Sequence, residues 1–555
     1  MYSPTSNSRV SASGTLEQIL LSTPFLIMLA LISIIGAGPF FPLFDLDEGA
    51  FSEATREMLA SGNWISTYLN DVPRHDKPIL IYWFQAISAS IFGINELAFR
   101  LPSMLASCLW LYSVFSFVRE VYNDRTARIA VWIMATGWLY CIMFKAATAD
   151  ALLNLLLNVV FFEIYRYYLN PHSKKLILIG VYLGLGFLTK GPIAVALPIL
   201  ASLMALSWCG KFKIWLGAVI HPYSWLTFFV VITPWHIASY LDQGWGFFEG
   251  FYLGHNLGRF SQTMESHGGS PFYYLTVIPF IFLPFVKQLL ACVIRLKNFA
   301  SYDLLAIYLW CWFLLTLLIF SFSKTQLPHY MLYGLTPIVI FIAVRINTLS
   351  TKAPQTERGN EESAAIDKHH SLTFGDVFST VVALVIFVGL PFILQHAIEQ
   401  TKNVYEHEVI SLAAETFLSS YVYISLALAI AAAIVMFNPR FSRLTKILLG
   451  STMLMLNANF VLAPVMATAQ QQPVYQAAKI AKTFDGDVVS FKTDMPSFSV
   501  YANRIVRKTD APKPGDLVFA RISAEKKLFD LEPNIEKKII FNESGIALYL
   551  YGIEK

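Results

Sequence analysis

The sequence predicts a polytopic α-helical membrane protein with a small α/β domain near its C-terminal end. Three observations support this: the apolar composition, the recurrence of long apolar runs, and a change of composition near residue 467. The 555 residues are 55% hydrophobic and 14% charged, with a mean hydropathy of +0.53. A soluble globular chain is about 45–50% apolar and about 25% charged. The composition therefore excludes a soluble enzyme, a disordered chain and a fibrous protein, and the near balance of 41 basic and 37 acidic residues gives no support to nucleic-acid binding.

About thirteen apolar runs have the length that a transmembrane helix needs, which is about 17–25 residues. These runs are 16–38, 99–118, 127–144, 151–168, 174–189, 192–209, 222–240, 272–294, 303–322, 330–348, 376–396, 417–437 and 447–466. The first run is too long for the core of a signal peptide and is predicted to be an uncleaved span. Residues 1–466 are therefore predicted to form a membrane domain.

One further stretch, 79–96, is borderline, and the basic residues argue against its crossing the membrane. If it does not cross, the loops that carry Arg119, Lys174, Arg345 and Arg440 all fall on one face. The positive-inside rule makes that face cytoplasmic. The stretch is then expected to lie in the membrane interface, and the C-terminal end of the chain is expected outside.

Three segments on the predicted outer face are long. Segment 39–98 contains a helical pattern after Asp47, with apolar residues on one side, which suggests a helix lying on the membrane. Segment 241–271 is rich in glycine and aromatic residues, has no helical period, and is predicted to be a mobile loop over a site.

The third segment, 467–555, changes to a mixed polar composition that predicts a small α/β domain. QAAKIAKTF predicts a helix, whereas DVVSFKT, SFSVYA, DLVFARI, KKIIFN and IALYLYG predict short strands between turn residues. It contains no motif that assigns it a chemistry.

Carboxylates on the predicted outer face are candidates for proton transfer. Asp45, Asp47 and Glu48 follow the first span, and Asp150 opens a later one. A carboxylate that is partly desolvated beside a membrane can act as a general base. The alternative for Asp47 and for Asp150 is a helix N-cap, where aspartate is favoured.

Cations on the same face are candidates for binding a phosphate. Lys77 in HDKPILIYW precedes a proline that starts a helix, and Arg259 in GHNLGRF could clamp a phosphate in bidentate fashion. Lys190 in FLTKG lies outside, against the charge rule. For Lys77 the alternative is a lysine that snorkels at a helix end.

The remaining candidates are weaker. Asp76 and His255 could hold a metal ion, although two scattered ligands are little support for such a site. Lys324 and Tyr330 in SFSKTQLPHYMLYGLTP lie at the outer end of a span, where an aromatic-belt tyrosine is the alternative. Together these groups predict one outer site, whose excess of cations suits a phosphorylated lipid.

The motifs, in their order, resemble those of a known family. DLDEGAFSEATREMLASGNW, DKPILIYW, ATADA, FLTKG, the RF of GHNLGRF and SKTQLPHY resemble the bacterial aminoarabinose transferase branch (ArnT) of the protein O-mannosyltransferase superfamily. The resemblance covers most of residues 16–348. It implies the GT-C fold, about thirteen transmembrane helices, interfacial helices in the first outer loop and a periplasmic C-terminal domain.

The resemblance also implies roles for individual residues. The catalytic set is Asp47, Glu48 and Asp150, the phosphate-binding set is Lys77, Arg259 and Lys190, and the substrate-contacting set is Tyr330, Lys324 and Tyr82. Three positions depart from the family pattern. Asp76 stands where glutamate is commoner, TQLPHY replaces KLPxY, and GAF follows the DE pair.

The implied activity is transfer of a sugar from an undecaprenyl-phosphate carrier to lipid A, by inverting displacement at the periplasmic face of the bacterial inner membrane. The sugar best suited is 4-amino-4-deoxy-L-arabinose, and no cofactor is obligatory, although a divalent metal could bind. A first alternative is a hexose or mannose transferase that acts on secreted proteins or another glycan. A second is a transporter or flippase of lipid-linked sugars, which is disfavoured because the charged residues collect at one face rather than at the midplane.

Overall fold

The computed structural model confirms the predicted class, a helical membrane protein with a small mixed α/β domain. It describes residues 12–258, 270–351, 381–382, 385, 388–532 and 534–552.

Helices make up most of the described residues up to residue 470. In chain order they are α1 (Ala12–Leu20), α2 (Thr23–Ile34), α3 (Asp47–Ser61), α4 (Leu80–Phe92), α5 (Glu96–Val121), α6 (Asp124–Thr136), α7 (Trp138–Met143), α8 (Asp150–Leu169), α9 (Ser173–Lys190), α10 (Ile193–Trp208), α11 (Phe212–Val219), α12 (Pro222–Gln243), α13 (Tyr273–Ile281), α14 (Val286–Arg295), α15 (Leu304–Ser321), α16 (Leu332–Thr351), α17 (Leu390–Gln400), α18 (Val404–Thr416), α19 (Val422–Phe437), α20 (Arg443–Asn457) and α21 (Ala463–Gln470). Three π-helical segments, Phe248–Leu257, Phe417–Tyr421 and Ala458–Leu462, continue or join these helices. A two-stranded hairpin of β1 (Tyr68–Leu69) and β2 (Val72–Pro73) follows α3.

Polar caps explain where several helices begin. The side chains of Asn95, Asn123, Asp303 and Ser442 each accept a hydrogen bond from a backbone N–H in the first turn of α5, α6, α15 and α20. A short polar side chain at this position satisfies one of the donors that a helix start leaves unpaired.

Seven helical stretches among the described residues are long and apolar enough to cross a membrane. They are Thr23–Phe40, Glu96–Val121, Asp150–Leu169, Leu304–Ser321, Pro328–Ser350, Val404–Phe437 and Arg443–Gln470, and α11 with α12, bent by 42°, make an eighth. The other predicted runs lie on helices that are shorter, broken or richer in charge, and 376–396 lies partly outside the described residues. Helix α4 has 13 residues, about 20 Å at 1.5 Å per residue, against a hydrocarbon core of about 30 Å. It is too short to cross alone.

Two apolar cores hold the helices together. One lies among α5, α6, α8, α15 and α16 and includes the fully buried rings of Trp110, Trp132 and Trp312. The other joins α3 and α4 to α8, α9 and α12, and includes Phe51 and Trp235. The second core fixes the first outer loop on the bundle.

Helix α3 is more enclosed than the sequence predicts. The predicted helix has one apolar side on the membrane, whereas the structure buries every residue from Glu48 to Met58, including Glu53, Arg56 and Glu57. This expectation was wrong because a second part of the chain, the C-terminal domain, packs on the polar side. Arg56 pairs with Glu53 at 2.6 Å within the helix. The carboxylate of Glu57 accepts backbone hydrogen bonds from Asn70 at 2.5 Å and from Asp71 at 3.1 Å, in the hairpin that follows.

The C-terminal domain (residues 472–552) contains a five-stranded sheet. Its elements are α22 (Gln472–Lys482), β3 (Val488–Phe491), α23 (Ser497–Ala502), β4 (Arg507–Thr509), β5 (Leu517–Arg521), α24 (Ile522–Leu531), β6 (Lys537–Glu543) and β7 (Ile546–Tyr551). The strand order is β4-β3-β5-β7-β6. Strand β3 is parallel to both neighbours, with Val489 opposite Val518, whereas β7 is antiparallel to β5 and β6.

One predicted strand of this domain is wrong. SFSVYA forms helix α23, which begins after Pro496 and ends at Asn503 in the left-handed conformation. A six-residue alternation fits a strand, but packing against α3 favours one short helical turn. The sequence also did not predict β4 and α24.

The predicted loop 241–271 is mostly helical in its described part up to residue 258. Helix α12 extends to Gln243, and the π-helical segment Phe248–Leu257 follows, so the expected lack of helical structure was wrong for these residues. Residues 259–269 lie outside the described part of the chain.

Candidate active site

A cavity of about 210 Å³ at one end of the bundle brings the predicted acids Asp45, Asp47 and Glu48 together with residues from distant parts of the sequence. Its charged and polar lining includes Asp45, Asp47, Glu48, Arg100, Lys145 and His329. These residues come from the first outer loop, α5, the α7–α8 connection and the turn before α16. The predicted meeting of the first outer loop with later outer loops is therefore present in the fold.

Asp47 lines the cavity and is exposed to solvent. It is the first residue of α3, and the residue at the N-cap position, Leu46, makes no side-chain cap. Across the described residues, no hydrogen bond or ion pair engages the carboxylate of Asp47. The N-cap alternative is therefore not what the structure shows, and this carboxylate is free to meet a substrate.

Glu48, by contrast, is fully engaged. Its carboxylate pairs with Arg100 at 2.5 Å and accepts backbone hydrogen bonds from Phe44 at 2.9 Å and Ala147 at 2.7 Å. Burial alone would raise the pKa of Glu48, but the charge and hydrogen bonds of Arg100 outweigh it and hold the pKa below its usual value. Glu48 is an ionised anchor that ties the start of α3 to α5.

Asp45 faces the C-terminal domain. It accepts hydrogen bonds from both the backbone N–H of Ser497, at 2.9 Å, and the Ser497 hydroxyl. The amide of Gln471, in the orientation that satisfies its neighbours, donates to Asp45 at 3.3 Å. One wall of the cavity is thus fastened to residues far along the chain.

Asp150 lies at the centre of a second buried network. The Nζ of Lys190 lies 2.5 Å from its Oδ1, and the hydroxyl of Tyr333 donates to the same oxygen. Thr148 donates to Oδ2 at 3.1 Å, and His329 lies 3.8 Å away. The N-cap position of α8 is held by Ala149, so Asp150 is not a cap. Because Thr148 and His329 also line the cavity, the network borders the Asp47 site.

The predicted phosphate ligand Lys190 is paired within this network. Its ammonium lies 5.2 Å from the ring centre of Tyr330 and 5.3 Å from that of Tyr333, in addition to its ion pair with Asp150. Tyr330 is buried. Lys190 therefore joins α9 to α8 and α16, and its positive charge is already compensated.

The predicted phosphate ligand Lys77 has a different environment. Its Nζ lies 2.8 Å from Nε2 of His255 and donates to the carbonyl of Asp76 at 3.0 Å. His255 belongs to the π-helical segment, so this contact joins the first outer loop to the segment after α12. The predicted metal candidates thus both contact cations, His255 the ammonium of Lys77 and the carboxylate of Asp76 the guanidinium of Arg74. The described residues contain no cluster of three or more potential metal ligands.

Residues 74–79, between β2 and α4, form a loop that we call the Lys77 loop. Arg74 links this loop to α3 and α4, and the sequence interpretation did not assign Arg74 a role. Its guanidinium pairs with Asp76 at 3.2 Å, donates to the hydroxyl of Tyr82 at 3.2 Å, and lies 5.5 Å from the ring centre of Phe51. Tyr82 stacks on Phe51 at 5.2 Å. The position of Arg74, three residues before Lys77, was the sequence signal that could have identified it as a site residue.

The π-helical segment Phe248–Leu257 also packs against Gly191, the residue after Lys190. A Cβ on Gly191 would lie 2.5 Å from the ring of Phe251, so only glycine leaves room for this ring. His75 contacts Gln243 at 2.9 Å, which fixes the end of α12 to the Lys77 loop.

Lys145 is a second residue that the sequence interpretation missed. Its Nζ donates to Asn459 in the π-helical segment Ala458–Leu462, and it lines the cavity near the Glu48–Arg100 pair. Its position directly after an apolar run hid it from a search for polar outer loops. Of the other predicted residues, Lys324 is exposed and Arg259 lies outside the described residues.

The fold and the position of the cavity define a class, the multi-pass membrane proteins of GT-C fold. Within that class, the crystal structure of ArnT from Cupriavidus metallidurans bound to undecaprenyl phosphate matches with a TM-score of 0.77 and 15% identity, over 98% of this chain and 100% of that chain. The apo state of the same protein matches with a TM-score of 0.75 and 14% identity, over the same shares of the two chains.

Sequence relatives confirm the predicted resemblance. Residues 76–237 match the family described as dolichyl-phosphate-mannose-protein mannosyltransferase. An undecaprenyl phosphate-alpha-4-amino-4-deoxy-L-arabinose arabinosyl transferase of Erwinia tasmaniensis is 28% identical over 54% of this chain and 55% of its own length. One of the same name from Enterobacter sp. is 27% identical over 62% of each chain. The chain thus matches little more than half the length of these curated relatives.

Proposed function

We propose that the protein is a polyprenyl-phosphate-sugar-dependent glycosyltransferase. Its best-supported reaction moves 4-amino-4-deoxy-L-arabinose from undecaprenyl phosphate to lipid A. The observation that carries the proposal is the exposed carboxylate of Asp47, which has no hydrogen bond or ion pair among the described residues and lines the cavity. The nearby loop carries Lys77 and also Arg74, which is close enough to Asp47 to interact with it electrostatically. The relatives, which are named as undecaprenyl phosphate-alpha-4-amino-4-deoxy-L-arabinose arabinosyl transferases, support the choice of sugar.

In the proposed reaction, Lys77 and Arg259 hold the phosphate of the carrier and stabilise it as the leaving group. Asp47 orients the acceptor nucleophile and takes its proton. The new bond forms at the anomeric carbon as the bond to the carrier phosphate breaks, so a single displacement inverts the configuration. The proton goes to Asp47 and the electron pair of the broken bond to the phosphate, and no step requires a metal or another cofactor.

The other predicted residues support this chemistry from fixed positions. Glu48 holds the start of α3 on Arg100, while Asp150 and Lys190 neutralise each other next to the cavity. We assign these three residues to positioning rather than to proton transfer or direct phosphate binding. Lys324, which is exposed, remains our candidate for contact with the substrate. Tyr82 and Tyr330 are buried, and we assign them to positioning as well.

We further propose that the site faces the periplasm from the bacterial inner membrane. The support is the segregation of basic loops to the opposite face of the predicted topology. In this orientation the C-terminal domain is periplasmic, and the acceptor reaches Asp47 from the outer leaflet.

Two other functions make different predictions. A hexose or mannose transferase for secreted proteins or another glycan is favoured by the family description that matches residues 76–237. A transporter of lipid-linked sugars is disfavoured because the Asp47 cavity and the Lys77 loop lie at one end of the bundle, whereas carrier sites lie near the midplane.

The test is a transfer assay with the purified full-length protein in detergent. Undecaprenyl-phosphate aminoarabinose and undecaprenyl-phosphate hexoses are offered separately with lipid A, and products are read by mass spectrometry. We expect a mass gain of one aminopentose on lipid A. Transfer of a hexose to a peptide or glycan acceptor instead would support the first alternative. Carrier binding without transfer to any acceptor would contradict the enzymatic proposal.

A further inference from the structure

The C-terminal domain packs closely against the segment that carries Asp47. Helix α23 lies on the first turn of α3, where a Cβ added to Gly49 would approach the backbone nitrogen of Ser497 to 2.6 Å and the carboxylate of Asp45 to 2.2 Å. Ser497 is fully buried in this contact. The absence of a side chain at residue 49 is what allows the two helices to meet.

Directed hydrogen bonds accompany this close approach. Ser497 gives Asp45 two hydrogen bonds, one from its backbone and one from its hydroxyl. The hydroxyl of Tyr501 accepts from the backbone of Leu43 at 2.6 Å and donates to Glu96 at 3.0 Å. Both residues on α23 therefore hold the chain just before α3.

The segment between Asp45 and Glu48 is consequently fixed from two sides. Glu48 is held by Arg100 of the membrane domain, and Asp45 is held by Ser497 of the C-terminal domain. Asp47 lies between these anchors, and its carboxylate makes no hydrogen bond among the described residues. Its direction toward the cavity therefore depends on both anchors.

We propose that the C-terminal domain is part of the active-site apparatus, and that Ser497 is a positioning residue that orients Asp47 through Asp45. This inference rests on the proposed glycosyltransferase function, and it gives the C-terminal domain a role that its own sequence did not reveal. Ser497 touches neither sugar nor acceptor; it fixes the backbone from which the reacting carboxylate projects.

The first test is Ser497→Ala in the full-length protein. Turnover is expressed per site that binds undecaprenyl phosphate, so that loss of folded protein does not lower the value. We expect kcat to fall about tenfold to a hundredfold, because a displacement of about 1 Å in a reacting group costs up to that much. The Kd for undecaprenyl phosphate should stay within about twofold, since the Lys77 loop is not touched.

A second variant approaches the same contact from α3. Gly49→Ala places a methyl group between Asp45 and Ser497 while favouring the helix itself. It should reproduce the fall in kcat. The matched control is Gly217→Ala in α11, where the added carbon meets nothing within 4 Å.

Two further variants separate positioning from general stabilisation. Arg507→Gln breaks an exposed ion pair with Asp71 between the same domain and the same loop, and it should leave kcat unchanged. Asp45→Asn combined with Ser497→Ala should be no slower than the slower single variant, because the two residues act in series.

Full turnover per carrier-binding site in both Ser497→Ala and Gly49→Ala would overturn the inference. A parallel loss of kcat and carrier affinity would also overturn it, since that result indicates a general loss of structure. A wild-type protein that binds the carrier but transfers nothing would instead contradict the proposed function, and the inference would fall with it.

Discussion

At the scale of single residues, the two adjacent acids of the DE pair have opposite environments. Asp47 is exposed to the cavity, and its carboxylate is unpaired among the described residues. Glu48 is buried and accepts hydrogen bonds from Arg100 and from the backbone N–H groups of Phe44 and Ala147. An ionised carboxylate whose lone pairs are all engaged is a poor proton acceptor. The division of roles between the two residues follows from this contrast.

We therefore expect Asp47→Asn to lower turnover by at least about a hundredfold, the scale of a lost general base, with unchanged carrier affinity and thermal stability. The measurement is turnover per carrier-binding site together with the melting temperature. Asp71→Asn, an exposed carboxylate change in the same loop, is the matched control and should be fully active. Near wild-type turnover in Asp47→Asn would remove Asp47 from the mechanism.

Two acids near the start of α3, the half-buried Asp45 and the buried Glu53, make stability depend on pH. Burial raises the pKa of Asp45 to about 7 and that of Glu53 to about 8, although Ser497 and Arg56, respectively, act in the opposite direction. The folded state thus keeps protons that the unfolded chain releases near its ordinary values of 3.8 and 4.5. Stability is then greatest below those ordinary values and is lost as the pH rises through about 7 to 8.

The corresponding measurement is the melting temperature of the wild type, Asp45→Asn and Glu53→Gln between about pH 4 and about pH 8. We expect the wild type to melt at lower temperature as the pH rises, and each variant to show a shallower slope. Identical slopes in all three proteins would show that neither acid titrates in this range.

At the scale of structural elements, the Asp150–Lys190 pair joins α8 and α9, and the hydroxyl of Tyr333 adds α16 to the network. Both charged side chains are nearly buried, with side-chain exposures of 7% and 11%. Removing one partner of such a pair leaves a buried charge uncompensated, which typically costs about 3–5 kcal/mol. The pair therefore matters first for the packing of three helices beside the cavity.

We expect Asp150→Asn and Lys190→Met each to lower the melting temperature, and the double variant to recover part of the loss. Thermal unfolding of the three proteins in detergent measures this coupling. If Lys190→Met instead weakened binding of undecaprenyl phosphate at unchanged stability, the phosphate-binding role suggested by the sequence would be the correct one.

Structural elements whose state depends only on neighbouring residues could be predicted from the sequence. The length of an apolar run is a property of neighbouring residues, so most of the membrane helices were predictable from the sequence. The state of SFSVYA was not, because packing on α3 decides between a strand and a helical turn. The burial of α3 from Glu48 to Met58 was not predictable either, since Ser497, more than 400 positions away, packs against Gly49.

At the scale of the whole molecule, the predicted site residues were recognisable by type and by order, but not by role. The sequence indicated that Asp47, Asp150 and Lys190 share one face, and the fold brings them to one end of the bundle. It could not show that Lys190 is paired, because that depends on the crossing of α8 and α9. Lys145 escaped notice because its partner, Asn459, lies 314 positions away. The role of Arg74 was not assigned because it depends on how its loop folds onto Tyr82 and Phe51.

The proposed orientation leads to a labelling experiment on single-cysteine variants in intact cells. A cysteine at Lys526, in the C-terminal domain, should react with a membrane-impermeant maleimide, whereas one at Lys174 should react only after the inner membrane is opened. Both residues are exposed, so access is set by the side of the membrane. The reverse pattern would invert the topology and would place the Asp47 cavity in the cytoplasm.

The contact between Ser497 and Asp45 spans 452 positions of the chain, and this has a consequence for how the protein is made. The helices up to residue 470 can enter the bilayer one after another as the ribosome delivers them. The wall of the cavity, however, is complete only when the last tenth of the chain has been synthesised and has reached the same side. A nascent or prematurely terminated chain can therefore be fully inserted and still lack a finished reaction centre.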